Sequence, residues 1–204
     1  MLSDTLIIVL ITLFGVSFIT NATPFFGASY TLLATTELIS AGLNLGNFGL
    51  IVLATALGAT LAKIVLYSGA LEFRKTLTRN KNVRLFNEWL QRRSFFVALF
   101  VTAFVPVLPL DDYIYIGAGA NKAKLTPMLG VTLPAKLAKS AFEIFLEVNG
   151  ILGLKALTKN LIGFSLVEFS VLFSVLFIVL GVVLYKLDWE ALLKRARVIT
   201  TKSA

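Results

Sequence analysis

Six ionisable residues lie within or beside long apolar runs of this chain: Lys63, Lys136, Lys139, Asp111, Asp112 and Glu143. An ammonium group in a low-dielectric interior offsets the charge of an anion such as a phosphate, and a carboxylate beside it can pair with that lysine or carry a proton. Asp111 and Asp112 are adjacent, so in a partly desolvated setting they repel, and one of them is expected to hold a proton reversibly. If Pro109 keeps the local backbone extended, their side chains point to opposite sides. Asp112 is then expected to face the lysines and Asp111 to cap the helix that follows. The chemistry in view is binding and proton or ion coupling, with Asp111, Asp112 and Glu143 as the coupling groups. Cysteine and histidine are absent, which removes thiol nucleophiles, Cys/His metal ligands and the commonest general base. No metal, no cofactor and no catalytic residue is expected, and the chain is read as not an enzyme.

These residues must be positioned by membrane elements. The 204 residues are 57% apolar, and the mean hydropathy is +0.87, a composition that a soluble core does not absorb. The aspartates sit in residues 94–122, where an apolar run breaks at Pro106 and Pro109 and resumes after Asp112. Bilayer hydrocarbon holds no water for the backbone groups that a proline frees, so such a break persists only inside protein or beside an aqueous cavity. The expected element is a re-entrant hairpin of two half-helices. Residues 21–43, with breaks at Pro24 and Gly27, are read as a first hairpin of the same kind.

Spans are expected over residues 1–20, 44–70, 123–150 and 165–187, with 151–164 as a connector. In the second of these, Ala54, Gly58 and Ala62 recur every four residues, a seam of small side chains that admits a close backbone. Lys63 is near enough to the end of that span either to snorkel or to face inward. In the third, Lys136, Lys139, Ser140, Glu143 and Glu147 fall within roughly 60° of one line at ~100° per residue and form a stripe that should face the protein interior. Glu143 could also serve only to neutralise Lys139 one turn earlier. Tyr113 and Tyr115 are read as interfacial belt residues.

The formal charge of +8 is concentrated in residues 71–93, read as an amphipathic loop on the headgroups, and in the tail 188–204. These two basic blocks share one face only if 94–122 re-enters rather than crosses, and the positive-inside rule makes that face cytoplasmic. The expected location is the plasma membrane, multi-pass. Such blocks are read as topology and lipid-headgroup signals and not as a nucleic-acid surface. Ala59-Thr60-Leu61-Ala62-Lys63 matches Ala135-Lys136-Leu137-Ala138-Lys139 at four of five positions, each in the helix that follows a Pro-broken segment. Two such units entering from opposite faces would form an inverted repeat with a site near the midplane. The fold class is therefore an all-α integral membrane protein of about four transmembrane helices plus two Pro-broken hairpins.

Residues 22–150 resemble the DedA/VTT-domain (SNARE-associated Golgi protein) family of membrane proteins. The resemblance is carried by Thr23-Pro24-Phe25-Phe26-Gly27, a helix ending in Tyr67-Ser68-Gly69, a basic loop, and Phe104-Val105-Pro106 leading to Ala118-Gly119. It implies two facing re-entrant hairpins and a lipid flippase or scramblase, acting on a polyprenyl-phosphate carrier in bacterial members and on phospholipids in eukaryotic ones. The chain departs from the family pattern where many bacterial members carry a glutamate before the first proline. Here Ser17, Thr20 and Asn21 stand instead. Where those members carry an arginine after the second proline, this chain has Val107, Leu108, Pro109 and Leu110 and then the two aspartates. Lys63, Lys136, Lys139 and Asn21 are accordingly the expected substrate-binding groups. The expected partners are anionic, phosphate-headed membrane lipids, with self-association left open. A proton-coupled small-solute transporter is the alternative, and an enzyme acting on lipid phosphate a more distant one.

Overall fold

A computed structural model describes residues 4–23, 30–79, 90, 94–105, 110–157 and 179, with the backbone alone for 151–157. The breaks at Pro24, Gly27, Pro106 and Pro109, most of the basic loop 71–93, the span 165–187 apart from residue 179 and the tail 188–204 lie outside the described residues. Every regular element among the described residues is a helix.

Helix α1, Asp4–Ala22, has Asp4 in its first turn, where a carboxylate suits the positive end of the helix dipole. It stops just short of the Thr23-Pro24 pair, as the restriction on a residue before proline requires. Helix α2, Tyr30–Ala41, stops at Gly42, whose φ of +99° is open to glycine at no steric cost. Asn44 then begins α3, Leu45–Glu72: its backbone is extended and its side-chain oxygen accepts the Asn47 N–H at 2.8 Å. One further turn, α4, spans Arg74–Leu77. Helices α5, Ser94–Phe104, and α6, Leu110–Ala120, flank the second proline pair. The last described helix, α7, is Leu125–Leu157.

Residues 21–43 thus contribute the last turn of α1 and a single further helix among the described residues. The helix expected to end at Gly150 continues through the start of the expected connector to Leu157. Nothing in 151–157 breaks a helix more strongly than one glycine, which costs only about 1 kcal/mol relative to alanine. Helices α1 and α3 are each long and apolar enough to cross a membrane. At 1.5 Å per residue they reach about 29 and 42 Å, against a hydrocarbon core of ~30 Å.

α3 is the central helix and packs against α1, α2, α6 and α7. In the first half of the chain α1 lies on α3, and in the second half α5 lies on α7. The two shorter helices then cross over: α2 reaches α7 and α6 reaches α3. Two close approaches fix these contacts. A Cβ on Gly58 would collide with the Phe14 carbonyl oxygen of α1, and one on Gly119 with the Tyr67 carbonyl oxygen of α3. Beside the first, the Ser17 hydroxyl donates to the Thr55 carbonyl at 2.7 Å. Gly58 and Ala62 of the small-residue seam are buried, as a close helix pair demands.

Two apolar clusters form at opposite ends of the α3–α7 pair. One gathers Leu66, Phe95, Leu99, Ile114, Tyr115, Ala118 and Met128. The other gathers Leu13, Ala34, Leu38, Ile51, Val52 and Ile144. Ile51 is grouped with Ile144 and Leu66 with Met128, so α3 and α7 run antiparallel. Lys63 on α3 and Lys136, Lys139, Ser140 and Glu143 on α7 fall between the two clusters.

Candidate functional site

The layer between the apolar clusters is built from three helices. α3 supplies Lys63 on the face that meets α6. Its side chain is 1% exposed, so it faces inward and does not snorkel. α7 supplies Lys136, Lys139, Ser140 and Glu143, all buried, and the polar stripe lies on the interior side of the helix. α6 supplies Asp111 and Asp112 from its first turn, where free backbone N–H groups and the helix dipole favour negative charge.

These groups pair. The Lys63 ammonium lies 3.1 Å from Asp111 Oδ2 and also donates a hydrogen bond to Asp112 Oδ1. Lys136 lies 2.8 Å from the same Asp111 Oδ2, so one carboxylate oxygen bridges two ammonium groups. Both are ion-pair contacts by distance, without the angles of hydrogen bonds, and Asp111 Oδ1 has no hydrogen-bond partner among the described residues. Further along α7, Lys139 and Glu143 approach to 3.9 Å. Among the described residues, three ammonium groups therefore stand with the three carboxylates of Asp111, Asp112 and Glu143, and their charges balance. Such balance is the condition for burying charge at all, since an isolated ion in an apolar interior costs many kcal/mol.

The expectation that one aspartate faces the lysines while the other caps is corrected here. Residues 111 and 112 are helical, not extended, and neighbouring positions on a helix are ~100° apart rather than opposed. A single ammonium placed between them meets both. Tyr115 is corrected as well. It is fully buried rather than interfacial, and its hydroxyl is hydrogen-bonded to the Thr132 hydroxyl at 2.7 Å. Tyr67 of α3 donates to the Ala123 carbonyl at 2.6 Å and ties α3 to the turn between α6 and α7. That turn closes with Ala123 N–H to Ala118 C=O and Lys122 N–H to Gly119 C=O, and Lys122 has a φ of 58°.

Of the expected binding groups, Asn21 alone is outside the ion layer. It lies in the last turn of α1, donates to the Ser17 carbonyl at 2.9 Å, and its side chain approaches Tyr30. The residues that the sequence did not mark as a site are those of α2. Thr31 and Thr35 donate to the two oxygens of Glu147, each at 2.7 Å. The available signal was a pair of hydroxyls one helical turn apart on a helix with no lysine or arginine. Tyr30, buried near Ser140 and Glu143, also belongs to this face.

What such a layer can do is exchange partners. Because Asp111 and Asp112 ride on one short helix, a movement of α6 would release both lysines to another anion without separating α3 from α7. No family model, curated protein or solved structure matches the chain. The DedA/VTT resemblance rests on the sequence motifs.

Proposed function

We propose that this chain is an integral membrane transporter, a flippase or scramblase, for a phosphate-headed lipid. The observation that carries the reading is an inverted distribution of polarity. Ile8, Ile11, Ile19 and Val97 are each 64–66% exposed, whereas Lys63, Lys136, Asp111 and Asp112 are each at most 2% exposed. In water such a surface is unfavourable at about 25 cal/mol per Å2, and in lipid it is not. A neutral but exchangeable ion layer between two dry clusters suits a cargo with a charged head and an apolar tail. The head would take the place of the α6 carboxylates on Lys63 and Lys136 while the tail stays in the bilayer. The proton or ion that accompanies it would be handled by the displaced carboxylates.

The reading includes four crossings and two re-entrant hairpins. The crossed contacts of α2 with α7 and of α6 with α3 are what an inverted repeat would produce. It also places the basic loop and tail on the cytoplasmic side of the plasma membrane. Native mass spectrometry of the purified chain tests the substrate class: a co-purified phosphate-headed lipid that is lost in Lys136→Gln and kept in part in Lys136→Arg supports it. Equal lipid occupancy in wild type and Lys136→Gln would overturn it. A small anion retained in place of lipid would support a solute transporter, and release of free phosphate would mark an enzyme.

A further inference from the structure

The strip between α2 and α7 has a charge that the ion layer does not answer. Lys63, Lys136 and Lys139 are matched by Asp111, Asp112 and Glu143. Glu147, one turn beyond Glu143 on the same stripe, is a further carboxylate, half-buried, and the side chains hydrogen-bonded to it are the hydroxyls of Thr31 and Thr35. Hydroxyls satisfy lone pairs but bring no charge. The helices around it do not either. α1 and α2 contain no lysine or arginine, and the one charged side chain on α2 is the half-buried Glu37. α3 offers Lys63, already shared by two aspartates. On α7 itself the nearest lysines, Lys139 and Lys155, are eight residues away in either direction, about 12 Å along the axis. Lys139 is moreover paired with Glu143.

A second observation falls at the inner end of the same strip. The hydroxyls of Tyr30 and Ser140 are buried and make no hydrogen bond among the described residues. Tyr30 lies beside Ser140, Asn21 and Glu143. An unmade buried bond costs about 1–3 kcal/mol, so these two hydroxyls favour a polar neighbour. Tyr30 opens the helix that carries Thr31 and Thr35, and Ser140 lies seven residues before Glu147 on α7.

We propose that this strip is a binding site for one monovalent cation, Na+ or a proton, held by Glu147 with Thr31 and Thr35 and reached past Tyr30 and Ser140. A single positive charge answers Glu147, which has no cationic partner among the described residues. The oxygens are of the hard type that Na+ takes, and the same carboxylate would be neutral if the charge arrives as a proton. The two hydroxyls already directed at Glu147 hold it in place in either case. Binding at this site stands on charge balance and does not depend on the lipid reading. If that reading is right, the cation is held one turn from the layer that holds the cargo, in addition to any proton taken up by the α6 carboxylates.

The test uses the full chain in nanodiscs of zwitterionic lipid without any phosphate-headed cargo. Radiolabelled Na+ binding is measured at mildly alkaline pH on wild type, Glu147→Gln and Thr35→Val. For Na+ the expected result is one saturable site per chain, weakened at least about tenfold in Glu147→Gln and less in Thr35→Val. In Na+-free buffer, infrared spectroscopy looks for a protonated-carboxyl band at neutral pH that disappears in Glu147→Gln, the result expected if the charge is a proton. Absence of both saturable Na+ binding and a protonated-carboxyl band in wild type overturns the proposal, whether or not the variants fold. So does a Na+ site or band that persists unchanged in folded Glu147→Gln. A chain that binds the cation but moves no lipid leaves this site intact and refutes only the transporter reading.

Discussion

Replacing Lys136 with Gln removes one of the two ammonium groups on Asp111 and keeps a hydrogen-bond donor of nearly the same reach. At 2.8 Å the lost attraction is about 6 kcal/mol for an effective dielectric constant of ~20. Lys63 approaches the same oxygen at 3.1 Å, so the two ammonium nitrogens are no farther apart than about 6 Å. Their mutual repulsion, relieved by the substitution, is then at least about 3 kcal/mol. Asp112 and Lys139 contribute with opposite signs. The net loss is no more than about 3 kcal/mol, at the low end of what breaking a buried pair costs. Asp111→Asn should cost about 3–5 kcal/mol, because it leaves two ammonium groups with Asp112 alone. The double variant restores neutrality through the remaining Lys63–Asp112 pair and should cost little more than one single substitution. The cycle should therefore show a coupling of about 3 kcal/mol. Unfolding by titrated denaturing detergent in mixed micelles measures it. Additivity of the two substitutions within about 0.5 kcal/mol would refute the shared-oxygen arrangement.

Three further outcomes are read from thermal unfolding of the purified chain. Gly58→Ala should lose about 1–3 kcal/mol, because its Cβ meets the Phe14 carbonyl, whereas Gly69→Ala has open space and should gain up to about 1 kcal/mol; equal effects would deny the close α1–α3 approach. Lys122→Gly should stabilise by about 1 kcal/mol, since Lys122 holds the left-handed conformation at the end of α6, and a destabilised variant would contradict that turn. Tyr115→Phe should cost about 1–2 kcal/mol by orphaning the Thr132 hydroxyl, and adding Thr132→Val should recover most of it; no recovery would mean the pair is not the cause.

The sequence made the α7 stripe legible because helical periodicity alone puts Lys136, Lys139, Ser140 and Glu143 on one line, and an apolar chain has one place to put such a line. Lys63 was ambiguous for a physical reason. A lysine that far from a helix end has a side chain long enough to snorkel, and what keeps it inside is Asp111 and Asp112, forty-nine residues away in the case of Asp112. The aspartates themselves were recognised, but their geometry was misjudged. Proline was taken to hold the chain extended as far as Asp112, whereas the helix has already begun at Leu110. The face of α2 was missed because Thr31 and Thr35 read as a dilution of an apolar helix. Their partner, Glu147, lies 116 residues from Thr31 and is reached only because α2 crosses to α7. Local pattern marks which side chains must be satisfied. Which group satisfies them is decided by tertiary contact.

Transport measured in sealed vesicles tests the central claim most directly. The wild-type chain and the charge-balanced variant carrying both Lys136→Gln and Asp111→Asn are reconstituted with a fluorescent phosphate-headed lipid, and the label exposed on the outer leaflet is quenched over time. The account predicts that wild type makes label from the inner leaflet accessible without altering it covalently, while the folded double variant does not. Lipid movement at the wild-type rate in that variant, or none at all in wild type, would contradict it.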